Sequence, residues 1–110
     1  MSRHLANLPN LVIANGATAA TTPITAYLDD AKTITLTAPA TLTGTVTIRG
    51  SVDGGVTYVD AGSGGSDITI GAGNAVTLTD PAFNAISVLS SLAEGAERIF
   101  QVIKSFEVSR

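Results

Sequence analysis

The sequence predicts an all-β fold, an antiparallel β-sandwich of jelly-roll or Ig-like type with about eight strands. Three observations predict it. Hydroxyl and aliphatic residues alternate with a period of two in one run after another. Turn-forming residues separate the runs at short intervals. Polar residues at every second position exclude a parallel sheet buried on both faces.

Taken in order, residues 1–23, MSRHLANLPNLVIANGATAATTP, hold no sustained period. They predict an extended N-terminal arm, and residues 24–110 predict the sandwich. An arm of this composition is floppy alone and gains order by docking on another subunit. Leu5, Leu8, Leu11 and Ile13 are its apolar anchors, and Arg3 is a salt-bridge donor to a partner. On this reading, removing residues 1–22 leaves the sandwich folded. The apolar run at Leu11–Ala14 is too short for a signal peptide, which needs ~7–15 apolar residues. Nothing approaches the ~18 apolar residues of a membrane span. The expectation is a protein made in the cytoplasm without an export address.

Alternation is plain in Thr33–Thr37, in Thr45–Arg49, in Asp67–Ile70 and in Ala75–Thr79. Successive side chains of a strand point to opposite faces, so each run has one aliphatic and one hydroxyl face. Asp29-Asp30, Ala38-Pro39-Ala40, Asp53-Gly54-Gly55, Gly62–Ser66, Asp80-Pro81 and Glu94-Gly95 read as turns. Gly71-Ala72-Gly73-Asn74 reads as a hairpin loop between two alternating strands. The last run, AERIFQVIKSFEV, has Ile, Phe and Val dominating, which favours a strand over a helix. Its apolar residues fall on both faces. It is therefore a central strand, or a strand with one face covered by a partner.

Composition narrows function. Charged residues make up 14% of the 110 residues, against a usual ~25%. Thr, Ser, Gly and Ala replace them, which suits a protein that lives packed against neighbours. The net charge is −3 with scattered basic residues, so no stripe exists to neutralise phosphates. The chain has no cysteine, which excludes disulfides and thiolate metal sites. His4 is the one histidine, so a catalytic pair of histidines is impossible. The aspartates lie mostly in turns without the loop spacing of a calcium site. The glycine-rich stretch at 62–65 lacks the Lys and helix start of a P-loop. The expectation is a non-enzymatic protein with no cofactor, metal, membrane or direct nucleic-acid partner.

One motif has a spelling of its own. SVDGGVTY, residues 51–58, matches Ser-x-Asp-x-Gly-x-Thr-aromatic through Ser51, Asp53, Gly55, Thr57 and Tyr58. This is the Asp-box of sialidase-like propellers. A propeller hydrolase needs several four-stranded blades and a catalytic carboxylate pair or Tyr nucleophile. One copy in 110 residues cannot build that. The motif is expected to shape a turn, with Tyr58 in the core.

The segments LTGTVTIRGSVDGGVTYVDAG, AVTLTDPAFNAISVLSS and ERIFQVIKS resemble small β-sandwich proteins of tailed-bacteriophage particles. The likeness spans roughly residues 24–106 and implies a virion structural component. That is a capsid decoration (cement) protein bound to the major capsid protein, or a head–tail or tail accessory subunit bound to other virion proteins. Many relatives carry Trp where Tyr58 stands. The resemblance implies no catalytic residues, a virion location, and a homo-oligomer, with a trimer the expected form. Arg3, Arg49 and Lys32 are candidate salt-bridge donors to an acidic capsid surface, with a solvated side chain the first reading for each. The alternative is a carbohydrate- or receptor-binding module of a tail fibre or adhesin, with Tyr27 and Tyr58 as its nearest aromatics.

Overall fold

Threonine alternating with Ile or Leu gives the run TITLT one buried and one exposed side, and it is a strand as expected, β2 (Thr33–Thr37). The computed structural model describes residues 2–25, 28, 31–60, 68–79 and 83–108. Tyr27, the turns at Asp29-Asp30 and Asp80-Pro81, and the stretch from Gly62 to Asp67 lie outside the described residues. The remaining strands are β1 (Ser2–Ile13), β3 (Val46–Ser51), β4 (Val59–Asp60), β5 (Thr69–Ile70), β6 (Ala75–Thr79), β7 (Ala85–Ser90) and β8 (Arg98–Val108). They form two antiparallel sheets. The first has the order β1-β8-β2-β6. In the second, β3 pairs with β4 and β5 and also with β7.

The sheets face each other across one apolar cluster. Leu11, Ile34, Leu36, Phe100 and Val102 come from the first sheet, and Val46, Ile48, Ile70, Ile86 and Val88 from the second. Burial of each large aliphatic side chain contributes roughly 1.5–3 kcal/mol against leaving it in water. The final apolar run is a strand, and a central one, with β1 on one side and β2 on the other.

The N-terminal arm is corrected. Residues 2–13 are not an arm but β1, the edge strand of the first sheet, paired along its length with β8. Its register shifts between Leu8 and Leu11, where Pro9 sits. Proline has no N–H to give a ladder, so an edge strand with a bulge is where it fits. The bulge also reverses the inward parity. Leu8 is buried before it, and Leu11 and Ile13 after it. Residues 18–24 then run beside β7, with bridges from Ala19 to Leu89 and from Ile24 to Ile86. Thr21 N donates to Val12 O at 2.8 Å, which ties this strap to β1. The boundary at 23/24 therefore divides nothing. Removing residues 1–22 would strip an edge strand and three core side chains, so it would not leave the sandwich intact.

The loop at Gly71–Asn74 is also corrected. β5 belongs to the second sheet and β6 to the first, so this turn is a corner between layers, not a hairpin. Gly73 takes φ 72°, and Gly73 N and Ala38 N bond Pro39 O and Asn74 O at 2.7 and 2.9 Å. These bonds hold the corner against the end of β2.

The register also defines the outer face of the first sheet. One cross-strand row is Asn7, Ile103, Thr35 and Thr77, and the next is Leu5, Ser105, Thr33 and Thr79. Gln101, Thr37 and Ala75 make a third, and Val12 sits opposite Ile99.

Candidate functional site

Strand β3 is held at each end by one carboxylate, and these two clamps are the densest side-chain hydrogen bonding among the described residues. At its C-terminal end, the chain leaves β3 at Ser51 and turns through Gly54 and Gly55. Their φ values are +79° and +96°, a region that side chains with a Cβ resist. Ser51 Oγ donates to Asp53 Oδ1 at 2.6 Å and accepts from Gly55 N at 3.0 Å. Asp53 Oδ1 also accepts from Thr57 N at 2.9 Å. Asn84 braces the turn from β7's side: its Oδ1 accepts from Gly54 N at 2.9 Å and its Nδ2 donates to Val52 O at 3.1 Å. The Ser51 hydroxyl, then the Thr57 amide, hold the Asp53 carboxyl below its usual 3.8.

Ser51, Asp53, Gly55 and Thr57 are thus brought together as one turn. Tyr58, expected in the core, is half-buried at its rim. Its hydroxyl is buried without a hydrogen-bond partner among the described residues. Burial, and secondarily the negative Asp53, push that hydroxyl above 10.0. Arg49 Nη2 donates to Tyr58 O at 2.9 Å, which draws this residue back to β3.

At the N-terminal end of β3 sits Glu94, only 1% exposed. Its Oε1 accepts from Thr43 N and Arg98 Nε, each at 2.8 Å. Its Oε2 accepts from Gly44 N at 2.9 Å and from the Ser90 hydroxyl at 2.7 Å. Burial by itself would raise this carboxyl. The two amides, the hydroxyl and the guanidinium outweigh it and lower the pKa from 4.5 to about 2. The backbone of Glu94 works as well: its N–H donates to Ala17 O at 3.0 Å and its C=O accepts from Gly16 N at 2.7 Å. One residue therefore joins the loop before β3, the loop after β7, the start of β8 and the strap after β1. Gly44 is required by closeness: a Cβ there would overlap the Ser90 hydroxyl and lie 2.7 Å from Leu92 N.

Sequence reasoning placed Glu94 in a turn and missed the clamp. A single signal was present, a Glu four residues before an Arg within a loop. The amide donors that complete it are about fifty positions away and leave no local trace.

The anchors assigned to a partner are redistributed. Leu8, Leu11 and Ile13 are core residues of this chain. Leu5 alone of them faces solvent, 71% exposed. Arg3 lies in β1 opposite Glu107, and its side chain is outside the described part. His4 stacks on Phe106 with ring centroids 5.5 Å apart, and Lys104 Nζ stands 5.1 Å from the same ring. Among the described residues no three of His, Cys, Asp and Glu come together as metal ligands. At the β1 bulge, Asn7, Asn10 and Gln101 line a depression of ≈ 200 Å³ with Leu8, Val102 and Ile103. Amides converge there, without an aromatic ring for a sugar to stack on.

No protein-family model matches the chain, and no curated protein sequence matches it. A solved chain of the Bacillus endospore appendages, reported as "a novel family of disulfide-linked pili", is similar in fold. The TM-score is 0.52 at 22% identity, over 98% of this chain and 88% of that one. The likeness is one of architecture.

Proposed function

We propose that the chain is a non-enzymatic structural subunit that works packed against other protein subunits of a particle. The observation that carries this is the pair of carboxylate clamps on β3. Enzymes and receptors place their reacting or adaptable residues on the loops at the ends of a sandwich. Here the loops at both ends of β3 are spent on fixing the strand. A module braced in this way keeps its shape under load from neighbours. Low charge and a hydroxyl-rich surface support the same reading.

The first assembly proposed is a tailed-phage virion, where the chain would decorate and stabilise the major capsid lattice. The sequence resemblance through residues 42–62, 75–91 and 97–105 supports it. The second is a filament, supported by the fold shared with the pilus protein. A filament of this chain would be held without disulfides, since the chain has no cysteine. A glycan-binding role is weaker, because the amide-lined depression lacks an aromatic platform.

Immunogold labelling of lysates from cells that make the chain tests the reading. Label on phage heads or tails supports the virion subunit, and label along fibres supports the filament. Label confined to the soluble fraction overturns both.

A further inference from the structure

We infer that the outer face of the β1-β8-β2-β6 sheet is a two-fold interface on which a second copy of this chain packs sheet to sheet. The inference deepens the structural-subunit reading and rests on it. The pattern of β8 is the first argument. Its inner side, Phe100 and Val102, fills the core. Its outward positions run Ile99, Gln101, Ile103, Ser105 and Glu107, and the two isoleucines among them remain 43% and 39% exposed. Two isoleucines at alternate outward positions of a central strand form an apolar stripe that a covering layer would remove from water.

The chemistry of the neighbours is the second argument. Thr33 Oγ1 and Ser105 Oγ lie 2.6 Å apart, and Thr35 Oγ1 and Thr77 Oγ1 lie 2.8 Å apart. These hydroxyls partner each other across strands, so covering them strands fewer polar groups than covering free hydroxyls would. The rows from Leu5 to Thr79 and from Asn7 to Thr77 hold no charged residue, and the next row of the same parity sets Arg3 opposite Glu107, one charge of each sign. In a two-fold contact each patch meets its own copy. A charged patch would set like against like, whereas an uncharged one is compatible with itself. It also has no field with which to select a partner of opposite sign.

Size is the third argument. From strand spacing and rise, the face is about 19 Å wide, about 17 Å long at β2 and β6 and about 37 Å long at β1 and β8, or roughly 500 Å² in plan. That is below the ~800 Å² per partner of a standard stable interface and in the range of a weak one, for which micromolar association is expected. Two such sheets stack as the layers of a sandwich do, about 10 Å apart and turned by about 30°. The pairing replaces the threefold association expected from the sequence with a two-fold one.

The test is light scattering with size-exclusion chromatography from about 1 to about 500 µM, the range over which a micromolar interface loads. The wild-type mass is expected to double. Ile103→Lys and Thr35→Lys put a charge against its own copy and are expected to weaken the dimer at least about tenfold. Val56→Lys, on the exposed hairpin tip, is expected to leave it unchanged. Far-UV circular dichroism checks that each variant is folded, and either face variant suffices if the other unfolds. A wild type that stays monomeric overturns the inference, and so does a dimer indifferent to both face lysines. A monomer found on particles would keep the subunit reading and lose the two-fold face. A face-dependent dimer found on no particle would do the reverse.

Discussion

The two ends of β3 solve one problem by opposite means. Each stops a strand of the second sheet with a carboxylate that accepts backbone N–H groups. At the Asp53 end the carboxylate's partners, Ser51 and Thr57, lie within four residues of it. At the Glu94 end the amide donors come from Thr43 and Gly44, with Ser90 and Arg98 completing the set. Asp53 is exposed and Glu94 is buried. The first clamp forms a turn. The second forms the fold, because it cannot assemble until four separate segments have met.

The largest expected effect follows from that difference. Glu94→Ala removes the acceptor of two amides and leaves the Arg98 guanidinium without its carboxylate. Breaking a buried ion pair by deleting one partner costs roughly 3–5 kcal/mol. Urea denaturation should show a midpoint lowered by that loss divided by the slope, with the slope itself unchanged. A loss under about 1 kcal/mol would mean that water replaces the carboxylate freely, and the clamp would be no more than the turn is.

Acid sharpens the same contrast. The Glu94 carboxyl is lowered from 4.5 to about 2 by folding, so the unfolded chain takes up the proton first. Its stabilisation is complete above pH 4.5 and is lost as pH falls toward 2. Asp53 is lowered in the same sense from 3.8 and acts alongside it. The chain should therefore lose stability between those limits, measured as urea midpoint against pH. Glu94→Gln should flatten most of that slope, and Asp53→Asn should flatten less. Equal flattening by both would erase the distinction between the two ends.

The contrast also explains what could be read from the sequence. SVDGGVTY was legible because its geometry is closed within eight letters. The strands TITLT and AVTLT were legible because alternation is a local signal of a half-buried strand. β1 was not. Its alternation is broken at Pro9-Asn10, and after the bulge the inward set moves from even to odd positions, from Leu8 to Leu11 and Ile13. A segment that changes parity halfway shows no period, and it passed for an arm. The corner at Gly71–Asn74 looked like a hairpin because a turn's letters do not say which sheet its flanking strands join. Glu94 was illegible for the same reason that it matters, since its partners are assembled by topology.

Gly44→Ala comes next in size. The added methyl would crowd the Ser90 hydroxyl and the Leu92 amide, both close to the carboxylate. Overpacking of this kind costs roughly 1–3 kcal/mol. The effect should shrink in a Glu94→Ala background, where the carboxylate no longer holds Ser90 in place. A double-mutant cycle measures that coupling, and strict additivity would show that Gly44 and Glu94 serve separate purposes.

The smallest effect is expected at Asp53. Asp53→Ala deletes the acceptor for the buried Ser51 Oγ and for the exposed Thr57 N, and the carboxylate it removes is itself at the surface. Water competes for hydrogen bonds at an exposed carboxylate, so the fall in urea midpoint is expected to be the smallest of the series. The turn keeps its course through Gly54 and Gly55, and Asn84 still braces it from outside. Hydrogen exchange should therefore quicken at Gly55 and Thr57 and stay unchanged at Thr43 and Gly44. If protection fell at both ends of β3 together, the strand would be one cooperative unit, and the turn would share in holding the sandwich closed.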